Sequence, residues 1–321
     1  MDAKEVQNLL STKEKKTRKR ASTKTDKTTE DSGRPPASRA KRKAEVQEKC
    51  KTMIKRFNEE WSPAKCQSLF TEAECAEMAY RAREIFMSEK VAIEVSPPCK
   101  VVGDIHGQFE DLLALFAIHG SPESQKYVFL GDYVDRGPYS KSLFEVLNYT
   151  FYCLPLLARV GKKIMCMHGG ISDDLWDLKQ LSRVERPCDI PDLGIVADLT
   201  WADPDDKIEK YEDSPRGAAR IFGAPALEEF CARHSIDLII RAHQVAEDGY
   251  DFFKDGPNVK RSQLVTIFSA PMYCGQYNNF AAVCVINQKM KVTFAVHRPS
   301  KKEEKKEKLS LRQRRKKESS E

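Results

Sequence analysis

The spacing of apolar residues divides the chain into a helical part and a mixed part. Between residues 45 and 90, apolar side chains return at intervals that place them on one face of a helix. The clearest examples are Val46, Met53, Ile54, Phe57, Met78, Ala82 and Ile85. Thr71 and Glu74 have the spacing of a capping box, in which each side chain binds the backbone N–H of the other residue. The sequence therefore predicts helices here, one of them beginning beside Thr71.

From Val91 onward the pattern changes to short runs rich in β-branched residues, each followed by a polar loop with glycine or another small residue. Five such runs lie at residues 100–102, 127–130, 163–167, 236–240 and 264–268. Stretches with helical spacing separate them, notably at 110–118 and 226–234. Strands that alternate with helices predict a mixed α/β fold.

Both ends of the chain are basic and rich in Ser, Thr and Lys. Residues 1–44 contain 14 Lys and Arg against six Asp and Glu, and residues 300–321 contain ten against five. Such segments bury too little apolar surface to offset the entropy lost on ordering. The sequence therefore predicts two disordered tails, 1–44 and 300–321, around one folded domain at 45–299.

Cysteine usage and hydropathy restrict the compartment. The ten cysteines form no Cys-x-x-Cys pair, and no apolar run typical of a signal sequence opens the chain. No apolar stretch approaches the ~20 residues that cross a bilayer. We expect a reducing compartment, the nucleus or the cytoplasm, and no membrane role.

Four of the predicted strands end in aspartate or histidine beside small residues. Asp104 and His106 follow the first strand, Asp132 the second, His168 the third and His243 the fourth. In an extended segment residues i and i+2 point to the same side, so Asp104 and His106 can hold one cation together. A single Asp-x-His arises by chance, but repetition at four strand ends favours a metal site. Carboxylate and imidazole ligands suit Mn, Fe or Zn better than Ca. Three histidines lack this setting and are interpreted as ordinary surface or core residues: His119, His234 and His297.

The loops that carry these residues are similar to the motifs of the phosphoprotein phosphatases. The chain has Gly-Asp-Ile-His-Gly at 103–107, Gly-Asp-Tyr-Val-Asp-Arg-Gly at 131–137, His-Gly-Gly at 168–170 and Arg-Ala-His at 241–243. The resemblance extends over residues 70–299, and the segments at 241–250 and 268–275 are most similar to the protein phosphatase 1 type. It implies a metallophosphoesterase-type β-sandwich flanked by helices, and hydrolysis of phosphoserine and phosphothreonine in proteins.

The resemblance also implies a two-metal site. Asp104, His106 and Asp132 would bind the first divalent transition metal ion, Asp132 would bridge to the second, and His168 and His243 would hold that second ion. Two such ions, Mn, Fe or Zn, polarise a phosphoryl oxygen and lower the pKa of a water between them.

Four further residues match catalytic positions of the family. Arg136 and Arg216 resemble the arginines that hold phosphate oxygens, for which a planar fork of donors is suited. Tyr273 resembles a tyrosine at the lip of the site. Asp135 resembles the carboxylate that pairs with the histidine that protonates the leaving oxygen. For each arginine, a surface ion pair is the alternative.

One family segment has no counterpart in this chain. Roughly forty residues that carry the Gly-Asn-His-Glu motif are missing between residues 148 and 153, and with them part of the core. The motif supplies an Asn ligand and the proton-donating His, and the loss of a general acid costs about 10²- to 10⁴-fold in rate. The chain is either a variant with weak or no activity or the product of an alternative transcript or gene model.

The resemblance also implies a groove that receives regulatory subunits by strand addition. Its predicted lining consists of Ile164, Leu238, Phe252, Val265, Ile267, Met290, Val292 and Phe294. The same alternation of apolar residues serves a plain core equally well. Two rival functions stay open at this stage. One is a noncatalytic binder of regulatory subunits, and the other is weak nucleic-acid contact by the basic clusters of the tails.

Overall fold

The computed structural model describes residues 36–60, 62, 65, 69–134, 144–253 and 262–298. The chain divides into two compact units, Met1–Glu77 and Met78–Glu321. Within the described residues, no helix combines the length and the apolar character needed to cross a bilayer.

The first unit contains helix α1 (Pro36–Glu60) and the start of α2 (Glu72–Ser88). The predicted capping box is confirmed: the backbone N–H of Glu74 donates to Thr71 Oγ1 over 3.2 Å, and that of Thr71 donates to the Glu74 carboxylate over 2.9 Å. Arg56 also donates to Glu74 over 2.9 Å, and this bond lowers the pKa of Glu74 to about 2.

The predicted tail of residues 1–44 ends inside α1, because this helix begins at Pro36. Residues 36–44 are rich in Ala, Arg and Lys, which have high helix propensity. A disorder prediction based on charge therefore fails for residues 36–44. Residues 1–35 and 299–321 lie outside the described residues, and their disorder stays a prediction.

The second unit contains thirteen described strands, four further α-helices and two short 3-10 helices, Leu178–Arg183 and Tyr273–Gly275. The helices are α3 (Phe109–His119), α4 (Phe144–Phe151), α5 (Ile195–Trp201) and α6 (Ala224–His234). The strands are β1 (Ala92–Val95), β2 (Cys99–Val102), β3 (Tyr127–Phe129), β4 (Leu157–Val160), β5 (Ile164–Cys166), β6 (Asp203–Pro204), β7 (Tyr211–Asp213), β8 (Arg220–Phe222), β9 (Leu238–Arg241), β10 (Tyr250–Phe252), β11 (Leu264–Ile267), β12 (Ala281–Ile286) and β13 (Val292–His297).

Two sheets form a sandwich. One has the order β1-β4-β5-β9-β11-β10, with β5, β9 and β11 parallel, and the other has the order β13-β12-β2-β3. Apolar residues of both sheets pack together between them, including Val101 and Cys284 from the smaller sheet and Val160, Ile240 and Ile267 from the larger. Strands covered on both faces read as continuous apolar runs, which is why β9 and β11 could be recognised in the sequence.

Helices cover the outer faces. Leu199 of α5 and Leu227 and Phe230 of α6 pack with Met165 and Ile239 of the six-stranded sheet. On the other side, Leu115 of α3 packs on Val102 and Val283. A small sheet, β6-β8-β7, completes this unit. The α/β sandwich flanked by helices is therefore confirmed, as are the five predicted strands and the helices at 110–118 and 226–234.

The chain continues without a break through the interval in which the sequence predicts a missing segment. Helix α4 ends at Phe151, the backbone N–H of Cys153 donates to Thr150 O over 3.1 Å, and β4 begins four residues later at Leu157. Cys153 is fully buried. Among the described strands β3 is an edge of its sheet. That residues of the core are missing here stays a prediction.

Candidate metal centre

The candidate site lies where the two sheets meet. Asp104 is the second residue after β2 and forms an isolated parallel bridge with Phe268, which follows β11. The backbone N–H of Ser269 donates to Asp104 O over 3.1 Å, and Ser269 Oγ accepts from Gly103 N–H over 2.9 Å. A Cβ on Gly103 would lie 2.2 Å from the carbonyl oxygen of Ile267, so only glycine permits this close approach.

All five predicted metal ligands come together at this point. Their ligand atoms form two groups, Asp104 with His106 and Asp132, and Asp132 with His168 and His243, and within each group they lie within 4.8 Å of one another. His106 Nε2 is 3.7 Å from Asp104 Oδ2 and 3.4 Å from Asp132 Oδ2. His168 Nε2 is 3.7 Å from Asp132 Oδ1. Asp132 is therefore the carboxylate that both groups share.

Backbone turns, rather than extended strands, aim these side chains. Three of the five residues have positive φ, with values of 44° for His106, 43° for Asp132 and 68° for His243. Non-glycine residues adopt this left-handed region at a cost, and such residues concentrate at functional sites. We expected Asp104 and His106 to point to the same side because the segment would be extended. The two side chains do lie together, but the reason was wrong, since the chain turns sharply at His106.

Hydrogen bonds fasten two of the loops together. The backbone N–H groups of Ile105 and His106 donate to Asp132 O over 3.2 and 2.8 Å, and that of Gly107 donates to Tyr133 O over 2.8 Å. The loop after β2 and the loop after β3 are thus held as one unit.

Burial controls the charge of the site. Asp104 is 1% exposed, and burial together with the neighbouring Asp132 carboxylate raises its pKa to about 8. Burial lowers the pKa of His168 to about 3. The pKa of His243 is lowered to about 3 as well, by burial and then by the charges of Arg241 and Arg216. Neutral imidazoles are the form that binds metals.

Several buried polar atoms at the site have no hydrogen-bond partner among the described residues: Asp104 Oδ2, His106 Nδ1, His168 Nδ1 and His243 Nε2. A buried polar atom without a partner is costly, and coordination of a metal ion would remove that cost for Asp104 Oδ2, which lies 3.7 Å from His106 Nε2 in the first ligand group. Carboxylate oxygens and imidazole nitrogens in two groups with a shared carboxylate are suited to two divalent cations. The residues present therefore fit a two-metal centre.

The other predicted catalytic residues differ in how they are placed. Asp135 and Arg136 lie outside the described residues. Arg216 Nε donates to Asp203 Oδ2 over 2.6 Å. The Tyr273 ring centroid is 4.7 Å from that of His106, which places Tyr273 beside the first ligand group.

Sequence reasoning gave no role to three residues that contact the site. Trp201 has its ring centroid 5.1 Å from that of His243. Asp203 and Arg241 are ion-paired over 2.8 Å behind the ligands. A usable signal existed for Arg241, because a charged residue that ends an apolar strand directly before a ligand loop requires a buried partner.

The predicted groove residues separate into two sets. Ile164, Val265 and Ile267 are at most 4% exposed and belong to the core between the sheets, so the prediction that they line a groove was wrong for their side chains. The others are half-buried or exposed: Leu238, Phe252, Met290, Val292 and Phe294. Phe294 stacks on Tyr250 at 4.3 Å between ring centroids, and Phe252 meets Phe294 edge to face at 5.7 Å.

Known proteins share the sequence pattern and the fold. A sequence model of the calcineurin-like phosphoesterases matches residues 98–151 and 143–247. A protein serine/threonine phosphatase from Saccharomyces cerevisiae with similarity to human phosphatase PP5 has a similar structure, with a TM-score of 0.64 and 24% identity over 72% of this chain and 91% of that chain. A cold-active protein-tyrosine phosphatase of Shewanella is less similar, with a TM-score of 0.42 and 11% identity over 66% of this chain and 84% of that chain. The first two findings agree with a metallophosphoesterase fold.

Proposed function

We propose that this protein is a two-metal phosphomonoesterase of the serine/threonine phosphoprotein phosphatase type. The observation that carries the proposal is the pair of ligand groups that share Asp132. A carboxylate shared by two groups of ligands is the arrangement that holds two cations side by side. The match to calcineurin-like phosphoesterases supports the same reaction class.

The chain's own residues divide the work in this proposal. When bound, two divalent cations, Mn, Fe or Zn, supply the charge that polarises a phosphoryl oxygen and acidifies a water. Asp104, His106 and Asp132 would hold one, and Asp132, His168 and His243 the other. Arg216 binds Asp203 through Nε, and its terminal nitrogens have no partner among the described residues, so they can bind phosphate oxygens.

Proton donation to the leaving oxygen is the step for which the chain lacks a residue. No Gly-Asn-His-Glu motif occurs in the sequence. The family model matches in two stretches that overlap at residues 143–151, beside the interval between residues 148 and 153 in which we propose that a family segment is missing. The ligand groups remain complete enough to hold cations without that motif. We therefore propose an enzyme with a depressed rate on alkyl phosphates such as phosphoserine.

A noncatalytic binder of regulatory subunits is the alternative, and one observation favours it. Phe252 is 41% exposed beside the half-buried Phe294 and Val292, which leaves an apolar surface on the edge strands β10 and β13. Edge strands with alternating apolar side chains bind extended peptides by strand addition. Regulatory subunits are the proposed partners of this surface. Action in the nucleus or the cytoplasm, with weak nucleic-acid contact by the basic tails, is proposed from the sequence alone.

Metal content and hydrolysis together test the two candidates. The full chain is purified from a defined medium, its metals are counted by elemental analysis, and its hydrolysis of p-nitrophenyl phosphate is measured with and without added Mn²⁺. About two metals per chain with Mn²⁺-dependent hydrolysis supports the enzyme. Less than one metal per chain, with no hydrolysis at any Mn²⁺ concentration, contradicts it and leaves the binder.

A further inference from the structure

One guanidinium group lies fully buried behind the metal ligands. Arg241 is 0% exposed, and it donates four hydrogen bonds to three different segments of the chain. Nε donates to Gly169 O over 2.6 Å and Nη1 to Gln244 Oε1 over 2.8 Å. Nη2 donates to Ala202 O over 3.0 Å and to Asp203 Oδ1 over 2.8 Å.

Two of these acceptors are the direct neighbours of metal ligands. Gly169 follows His168, and Gln244 follows His243. Nε and Nη1 belong to one rigid planar group, so the spacing of their two acceptors is fixed by the guanidinium itself. The guanidinium of Arg241 therefore sets the separation of the two loops that carry His168 and His243.

The third connection reaches the proposed phosphate-binding arginine. Asp203 accepts from Arg241 through Oδ1 and from Arg216 Nε through Oδ2. The bond from Arg216 Nε to Asp203 restricts the orientation of the guanidinium group and leaves its two terminal nitrogens outside this contact. Asp203 thus links the orientation of Arg216 to that of the two histidine loops.

Charge makes the pair interdependent. A buried guanidinium next to two dications would repel them, and an unpaired buried charge is strongly unfavourable. Asp203 has a side chain only 9% exposed and supplies the compensating negative charge. Removal of Asp203 leaves Arg241 as an uncompensated charge beside the metal site, whereas removal of Arg241 leaves Asp203 paired with Arg216 alone.

We propose that Arg241, together with Asp203, is a positioning residue that sets the relative placement of His168, His243 and Arg216. This inference rests on the proposed two-metal function. Residues that orient metal ligands from behind change metal affinity by about 10- to 100-fold when mutated. Lysine keeps the charge of arginine but has one nitrogen, which cannot span four acceptors in three segments.

Cobalt binding to the full chain tests the proposal without any need for turnover. Co²⁺ is titrated into metal-free protein, and its visible d–d absorption reports ligand geometry and occupancy. Arg241→Lys is expected to bind Co²⁺ about 10- to 100-fold more weakly with an altered spectrum. Gln244→Ala removes one of the four bonds, and its affinity should lie between those of Arg241→Lys and the parent. Asp203→Asn is expected to weaken the binding of inorganic phosphate to the cobalt-loaded protein as well.

Arg233→Met is the matched control, since Arg233 pairs with Glu229 on the surface of α6 and should leave the spectrum unchanged. If Arg241→Lys does not fold, Gln244→Ala and Asp203→Asn decide the outcome. Parental cobalt affinity, spectrum and phosphate affinity in the folded variants would overturn the positioning role while leaving the two-metal function intact. Failure of the parent itself to bind Co²⁺ would overturn the proposed function, and this inference with it.

Discussion

His106 and Asp132 are joined twice, once through the backbone and once through their side chains. The backbone N–H of His106 donates to Asp132 O over 2.8 Å, and His106 Nε2 lies 3.4 Å from Asp132 Oδ2. Because the backbone bond fixes the two loops relative to each other, the imidazole and the carboxylate are held close together. Two side chains on loops held in this way lose less freedom on binding a ligand than side chains on two independent loops would.

The shared position of Asp132 predicts an unequal effect of two similar substitutions. Asp132 belongs to both ligand groups, whereas Asp104 belongs to one. Asp132→Asn should therefore lose more metal than Asp104→Asn, and elemental analysis of the purified variants measures this. Equal occupancy in the parent and both variants would show that these carboxylates do not hold the metals.

Whether a residue of this site could be predicted depends on its position in the sequence. The ligands could be found because each ends an apolar strand, and strands with both faces buried have a simple sequence pattern. Arg241 was missed because its function depends on Gly169, Ala202 and Asp203, which are distant in sequence and close only after folding.

Boundaries and short strands were the weaker part of the prediction. Charge placed a disordered tail up to residue 44, but helix propensity continues back to Pro36. Strands of two or three residues, such as β6 (Asp203–Pro204), are too short to show any periodicity. The groove residues Val265 and Ile267 were misplaced, because alternation is the same for a docking surface and for a core strand.

The contact between His119 at the end of α3 and His297 of β13 predicts a pH effect on stability. His119 Nε2 and His297 Nε2 lie 2.9 Å apart, so both rings cannot be protonated in that contact. Burial lowers the pKa of both, and for His119 the neighbouring His297 and Lys100 contribute further. In the unfolded chain these two histidines take up protons near the ordinary histidine pKa of about 6.5, whereas in the folded chain they do so only at lower pH. The free energy of unfolding should therefore fall as pH drops below about 6.5.

A double variant, His119→Gln with His297→Gln, separates this pair from the other histidines. It should lose less stability than the parent between about pH 7.5 and pH 5, as measured by urea denaturation. The pH dependence of the double variant is compared with that of His234→Gln, which removes a histidine elsewhere in the fold, where it bonds to Leu175 O. Identical pH dependence in the parent and the double variant would show that the pair does not titrate as described.

The exposed aromatic of β10 predicts a peptide-binding effect. If the surface beside Phe252 is a docking site, a peptide with basic residues followed by Val and Phe at alternate positions should bind the full chain. Phe252→Ala should weaken that binding by about 1–3 kcal/mol, as for other apolar anchors. Ile118→Ala, which truncates a 64% exposed residue of α3, should leave the affinity unchanged. Fluorescence anisotropy measures both, and an unaltered affinity in Phe252→Ala would assign that ring to packing alone.

The proposed loss of the proton donor predicts a selective loss of activity. An alkoxide that leaves from phosphoserine needs a proton, whereas nitrophenolate, with a conjugate acid of pKa near 7, hardly does. Activity relative to a phosphatase that retains the motif should therefore be depressed much more on phosphoserine peptides than on p-nitrophenyl phosphate. A Gly-Asn-His-Glu segment grafted between Asn148 and Phe151 should restore peptide activity by about 10²- to 10⁴-fold. Equal depression on both substrates would point to metal loss instead of the missing acid.

The bridge between Asp104 and Phe268 joins the two sheets, and metal ions bound beside it would also affect the stability of the fold. Asp132 follows β3 of the four-stranded sheet, while His168 and His243 follow β5 and β9 of the six-stranded sheet. A cation held by these three residues would be a cross-link between the two halves of the sandwich. By mass action, any ligand bound only by the folded state adds to its stability. Chelation would thus remove a cross-link between the sheets as well as the proposed catalytic centre. The stability of the sandwich would therefore increase and decrease with the metal occupancy of the site.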